Sequence, residues 1–288
     1  MRVGITILPQ ARWRDAAPLW RRAEELGFDH AWTYDHLAWR SLVDEPWFAT
    51  VPTLTAAATV TERIALGTWV ASPNFRHPVP FAKELMSLDD VSHGRFVLGV
   101  GAGGLGVDAR VLGDEPLPPR ARVERLAEFL ELLDLLLTQD STTWSGSYYS
   151  AVEARMIPGC VQRPRLPFVV AANGPRTMAL AARHGQGWAT TGPEGAEDDA
   201  AWWRGVRGLA ARFDDIAAEH GDAGMPRYLS LDSGGYSLQS VGRFEDMVGL
   251  AGEAGFTDVV VHWPRANGVY AGDEAVLEDV AARLPALR

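Results

Sequence analysis

Asp35-His36 is the one titratable pair in the sequence with acid/base capacity at the start of a loop. A histidine gives and takes protons near neutral pH, and a carboxylate beside it strengthens the base. A structural reading competes with this one, in which Asp35 caps a turn and His36 packs against Trp39. Three further stretches offer ligand contacts. Gly101, Ala102, Gly103 and Gly104 bring bare backbone to where a Cβ would hold off a flat or anionic ligand, or else form a permissive loop. Asn173-Gly174-Pro175-Arg176 puts amides ahead of a helix whose second residue is basic, the outline of a phosphate cradle. Thr190-Thr191-Gly192 adds two hydroxyls.

Other chemistries find no support. The glycines at 99, 101 and 104 satisfy G-x-G-x-x-G, but a dinucleotide fold needs a helix to start at the third glycine, and 105–119 shows turn-formers without an apolar period. No H-x-x-x-H or H-E-x-x-H spacing occurs among the seven histidines, so no metal site is expected. A G-x-S-x-G elbow is missing, and Cys160, between Gly159 and Val161, has no neighbour to activate it.

These residues need elements to position them. Apolar runs predict strands over 3–8, 31–34, 64–70, 96–100, 168–171, 187–190, 228–231 and 258–262. Helical periodicity lies between or after them, over 20–26, 52–61, 80–91, 123–137, 176–184, 202–220, 244–254 and 274–284. A small hairpin over 144–149 sits in an excursion between the fourth helix and the fifth strand. Eight strand-helix pairs predict an α/β fold, a TIM (β/α)8 barrel formed by 1–288 as a single domain, with an open doubly wound sheet as the alternative. In a barrel the active site lies where strands end, which is where Asp35-His36, 69–74, 101–104, 172–175, 190–192, Asp232 and His262-Trp263 fall.

Composition narrows the partners. A formal charge of -10 with no basic run argues against nucleic acid and anionic membrane. With one cysteine there is no internal disulfide, which suits a reducing cytoplasm, and no apolar stretch reaches spanning length. Lys83 is the only lysine among 27 basic residues, which limits any mechanism that needs one.

The segments Ala23-Glu24-Glu25-Leu26-Gly27-Phe28-Asp29, Tyr34-Asp35-His36, Leu66-Gly67-Thr68-Trp69-Val70, His93-Gly94-Arg95-Phe96-Val97-Leu98-Gly99-Val100-Gly101 and Ala172-Asn173-Gly174-Pro175-Arg176-Thr177 resemble the luciferase-like flavin-dependent oxidoreductases. Within that superfamily the chain is most similar to the branch that uses the deazaflavin coenzyme F420. The likeness runs from residue 1 to about 192 and returns weakly in 255–262. It implies His36 as the proton-transfer residue, Asp35 against the cofactor, a cis peptide at Trp69-Val70 behind the ring, and Gly101, Ala102 and Gly103 along the ring's edge. It also implies that Ala172, Asn173 and Gly174, with Thr190, Thr191 and Gly192, hold the side-chain phosphate. Trp39 would wall the substrate pocket, with Trp263 among the apolar loop residues that join it. Two departures count against a sugar-phosphate substrate: Gly104 stands where those dehydrogenases carry a catalytic glutamate, and the lysines of a phosphate clamp are missing.

The expected activity is hydride transfer between coenzyme F420 and an unidentified organic substrate, in a cytoplasmic homodimer. An FMN-dependent luciferase-like monooxygenase and a non-catalytic flavin- or deazaflavin-binding protein are the alternatives.

Overall fold

The computed structural model describes residues 1–104, 106–220 and 224–288. Eight parallel strands carry the fold: β1 (Arg2–Thr6), β2 (His30–Thr33), β3 (Ala65–Thr68), β4 (Phe96–Gly101), β7 (Phe168–Ala171), β8 (Gly187–Thr190), β9 (Arg227–Ser230) and β10 (Asp258–His262). They close into a barrel in the order β1-β10-β9-β8-β7-β4-β3-β2, which rules out the open sheet. Most of their residues are buried whichever face they point to, because a parallel strand with helices on one face and a core on the other needs apolar residues on both.

The connecting helices are α1 (Trp13–Glu25), α2 (Thr50–Ala58), α3 (Pro78–Val91), α5 (Pro119–Thr138), α6 (Pro175–His184), α7 (Asp199–His220), α8 (Val241–Glu253) and α9 (Glu274–Ala281), with α10 (Leu284–Leu287) at the end. The stretch expected to lack helix departs from that reading twice. A five-residue helix, α4 (Val107–Val111), lies within it, and α5 already begins at Pro119. Leu105 lies outside the described residues. α4 is too short to show an apolar period, and Gly106 at its N-cap has φ +65°, so composition hid it.

Chain contacts divide the molecule into two compact units. The first comprises 1–8, 18–32 and 170–288, and the second 9–17 and 33–169. Within the first, the strand starts meet in a buried polar network. His30 Nε2 donates to Asp258 Oδ1 at 3.0 Å, and the Trp32 indole donates to His30 Nδ1 at 2.6 Å. Arg2 and the Thr257 hydroxyl donate to Asp258 Oδ2 at 2.9 and 2.7 Å. Burial alone would push the Asp258 carboxyl up, but the hydrogen bonds from His30, Arg2 and Thr257 outweigh it and hold Asp258 below the ordinary value.

Within the second unit the excursion is a hairpin of β5 (Ser141–Ser145) and β6 (Ser150–Arg155), longer than the 144–149 segment expected. Glu128 of α5 fixes its turn. The N–H groups of Ser147, Tyr148 and Tyr149 all donate to that carboxylate, the last at 2.7 Å, so a backbone nest for an anion is filled from within the chain.

Candidate active site

The second unit holds Asp35 and His36. β2 ends at Thr33, Asp35 and His36 follow in irregular chain, and the backbone bends at Leu37 and Ala38. His36 Nδ1 lies 2.8 Å from Asp108 Oδ2, and the Leu37 N–H donates to Asp108 Oδ1 at 2.7 Å. Facing a carboxylate, Nδ1 carries the hydrogen, which leaves Nε2 as the ring's basic nitrogen. No hydrogen bond of Nε2 is recorded among the described residues, and the side chain keeps 13% of its surface. The Trp39 ring lies against the imidazole with centroids 4.4 Å apart, and the Trp47 indole donates to the His36 carbonyl at 2.8 Å. Packing and proton transfer are therefore compatible at this residue.

Asp35 departs from its expected place. Its carboxylate, 1% exposed, takes two hydrogen bonds from Arg76, at 2.6 and 3.1 Å, instead of supporting His36 or facing a ligand. Such a bidentate pair is among the stronger ones a protein makes. Arg76 also donates to Glu84 at 2.9 Å, and its guanidinium lies 4.7 Å from the centres of both the Phe75 and Phe81 rings. Burial works to lower the Arg76 pKa, yet the hydrogen bond and charge of Asp35 raise it above its ordinary value. The carboxylate that orients His36 is Asp108, 72 residues away in sequence.

The ends of β3 and β4 lie in the same unit. The Trp69-Val70 peptide is cis, as the resemblance implies. The Trp69 N–H donates to the Thr33 carbonyl at 2.8 Å, and Ala71 bonds to the Gly99 and Gly101 backbone, also at 2.8 Å. Gly99 cannot be replaced here, since an added Cβ would collide with the Thr68 carbonyl oxygen. Gly103 has φ +71°, and its carbonyl accepts from Asn74 Nδ2 at 3.1 Å, so Asn74 fixes the loop's path. Gly101 is buried, while Ala102 and Gly103 keep part of their surface.

The first unit holds the loops after β7 and β8. The Thr190 hydroxyl donates to Asn173 Oδ1 at 2.6 Å and accepts from the Gly192 N–H at 3.0 Å, while Asn173 Nδ2 donates to the Gly192 carbonyl at 2.9 Å. These polar groups hold the two loops to one another. What they leave for an anion is the start of α6, where Gly174 is the N-cap without a side-chain cap, Pro175 follows, and exposed Arg176 has no acidic partner among the described residues. Ala172 is buried, its N–H donating to the Ala189 carbonyl, and Thr191 is exposed. Trp263 does not offer an open wall: it is 8% exposed, and its indole donates to Glu274 at 3.2 Å.

Residues 1–226 match the sequence model of the luciferase-like monooxygenases. The chain belongs to the luciferase-like monooxygenase family. Among its relatives is an F420-dependent glucose-6-phosphate dehydrogenase of Amycolatopsis mediterranei, 36% identical over 190 residues, which are 64% of this chain and 55% of that protein. The chain thus spans about half the length of that curated relative. An uncharacterised protein of Mycobacterium tuberculosis is 32% identical over 241 residues, 83% of this chain and 76% of its own. In fold the chain is similar to the coenzyme F420-dependent tetrahydromethanopterin reductase of Methanopyrus kandleri, with a TM-score of 0.78 at 18% identity, covering 100% of this chain and 99% of that one.

In this luciferase-like chain the sequence marked His36 but neither of the side chains that organise its surroundings. Arg76 and Asp108 follow no spacing rule relative to the Asp35-His36 pair. A local hint is that Asp108 and Arg76 lie on the loops that follow β4 and β3, seven residues after Gly101 and eight after Thr68. No helix among the described residues is long and apolar enough to cross a membrane, and no group of three or more His, Cys, Asp or Glu among them is placed to hold a metal.

Proposed function

We propose that this chain is an oxidoreductase that moves a hydride between coenzyme F420 and an organic substrate, with His36 as its proton-transfer residue. The observation that carries the reading is the state of His36: one ring nitrogen is held by Asp108, the other has no recorded bond, and the side chain keeps some surface just past the end of β2. The dehydrogenase relative, named for the same coenzyme, supports the cofactor.

Coenzyme F420, when bound, gives or takes a hydride at its ring carbon C5. The residues present fit such a group. Bare backbone at Gly101 and Gly103, with Ala102, Trp69 and Val70, would receive a flat ring; Asp35 would act there through its backbone, its carboxylate being spent on Arg76. Gly174 and Arg176 at the uncapped start of α6 would take the phosphate, on loops shaped by Ala172, Asn173, Thr190, Thr191 and Gly192. His36 Nε2 would accept the proton released by an oxidised substrate and return it in the reverse direction, while Asp108 keeps the tautomer fixed. We include in this reading a cytoplasmic homodimer, the single cysteine suiting a reducing compartment.

The family's description as monooxygenases favours FMN as the second reading. Titrating the apoprotein with each cofactor separates them: submicromolar binding of coenzyme F420 with weaker binding of FMN is expected, and the reverse order overturns the proposal. A carrier role predicts that His36→Ala leaves cofactor affinity and behaviour unchanged, and light scattering tests the dimer.

A further inference from the structure

Two donors in the second unit are buried without an acceptor among the described residues: Arg125 Nε and the Tyr149 hydroxyl. Buried donors in proteins almost always have a partner, so a pair that lacks one points to a group that binds there. The two belong to one place. Arg125 stands on α5 three and four residues before Glu128 and Phe129, so all three share a helix face. Glu128 accepts from the Tyr149 N–H at 2.7 Å, and the Phe129 and Tyr149 ring centres lie 5.8 Å apart. The loop after β3 closes the other side. Arg125 donates to Asn74 Oδ1, and the His77 and Tyr149 rings meet edge to face with centres 5.3 Å apart. His77 Nδ1 accepts from the Val79 N–H at 3.2 Å, which puts the ring hydrogen on Nε2 and makes it a third donor.

The charge around these donors is unbalanced. Arg125 forms no ion pair among the described residues; Arg122, one turn earlier on α5, opposes its charge, and Asp114 acts on it without pairing. Burial holds the Arg125 pKa below its ordinary value and raises that of Tyr149, against which the Arg125 charge works. A water would satisfy the donors but not the charge. We propose that Arg125, Tyr149 and His77 form a binding site for a small carboxylate, seated between α5 and the loop after β3. Three donors and a surplus of positive charge suit a monoanion with two acceptor oxygens better than a phosphate dianion. Arg125 and Tyr149 keep part of their surface and His77 is exposed, so the ligand approaches from outside. None of the three belongs to the surroundings of His36 or to the start of α6, so the proposal stands without the roles given to either. Asn74 also donates to the Gly103 carbonyl at 3.1 Å, which lets an occupant bear on the loop after β4.

Acetate is the probe, titrated into the full chain without cofactor while chloride holds the ionic strength constant. The Arg125 Nε–H resonance should move and saturate in the millimolar range, as expected of so small a ligand, and the melting temperature should rise in step. Tyr149→Phe should weaken that binding about tenfold. Since it deletes a donor that has no acceptor, it should also leave the anion-free protein at least as stable as the parent. Arg125→Lys, which keeps the charge and loses the planar fork, should abolish the saturable response. A shift that does not saturate overturns the proposal, as does tighter binding of phosphate than of acetate, or equal acetate affinity in the Tyr149→Phe protein. So does a lower melt of Tyr149→Phe in anion-free buffer, because the hydroxyl then has its partner in the chain or in a fixed water.

Discussion

Strand β2 is flanked by two histidines with the same kind of partner and opposite prospects. His30 begins the strand and pairs with Asp258; His36 follows its end and pairs with Asp108. At His30 both ring nitrogens are occupied, Nε2 donating to Asp258 and Nδ1 accepting from Trp32, and the residue is 4% exposed. At His36 one nitrogen is occupied and the ring keeps some surface. An Asp–His pair is therefore not in itself a catalytic signature. The second nitrogen separates them: satisfied, it makes the pair a fixture of the core; without a bond among the described residues, it leaves the pair with a positioned tautomer and an acceptor to spare. A third pair, His262 with Asp232 at 2.8 Å, belongs with the first in burial, its ring stacked on Tyr270 at 3.7 Å.

The sharpest way to break this comparison is His36→Ala. If its open nitrogen moves a proton, kcat should fall by about 10²- to 10⁴-fold. Coenzyme F420 binding, followed by fluorescence, should change little, and so should the melt. An unchanged kcat would put His36 in the same class as His30.

The next largest effect should fall on stability at the other pair. Asp258→Asn removes the charge that Arg2 and His30 face and should cost about 3 kcal/mol in a urea titration at pH 7, with kcat per folded molecule retained. The sign of the pH dependence follows from the depressed Asp258 pKa. A carboxyl held below its unfolded value contributes stability above about pH 4 and loses it as the pH falls through the folded value. The unaltered protein should therefore weaken more steeply below pH 4 than the variant, and parallel slopes would remove Asp258 from the account.

A smaller loss is expected from Asp108→Asn, which keeps the shape beside His36 and can hold either tautomer. A fall in kcat of about ten- to a hundredfold, less than for His36→Ala, should come with an altered pH–rate profile. A purely structural role would lower stability and leave that profile where it was.

The barrel was legible in the sequence because each strand is a short apolar run and each helix carries its own period. β7, β8 and β10 fall where the apolar runs end, and β4 runs one residue further. His36 was legible because a strand end followed by an acid/base residue is a local pattern. Asp108 was not, since a five-residue helix has no period and its partner lies 72 positions away. The partner of Asp35 was hidden for a related reason: adjacency in sequence suggested a pair with His36, but beyond a strand end neighbouring side chains diverge, and the Asp35 carboxylate turned to Arg76. Asn173 and Thr190 read as free ligand groups, though each is the other's partner. Local patterns locate a site; which of its polar groups are already spent depends on contacts between distant segments.

Trp32→Phe makes His30 resemble His36 in the one respect that separates them. It removes the indole N–H and leaves Nδ1 buried without a donor, while Asp258 still holds Nε2. A buried acceptor left unpaired costs about 1–3 kcal/mol, and the cavity left where the buried indole was adds about 1 kcal/mol more, so a loss of about 3 kcal/mol is expected in the same urea titration. The tautomer should not move, because Asp258 still needs a donor at Nε2; nitrogen NMR of the ring reads this directly. No new activity should appear either, because His30 has a vacated nitrogen but no surface. If the variant is as stable as the parent, the Trp32 bond is not what fixes His30, and burial alone separates the two pairs. Should the stability fall with the tautomer unchanged, occupancy of the second nitrogen and access to it are separate requirements, and of these two histidines only His36 meets both.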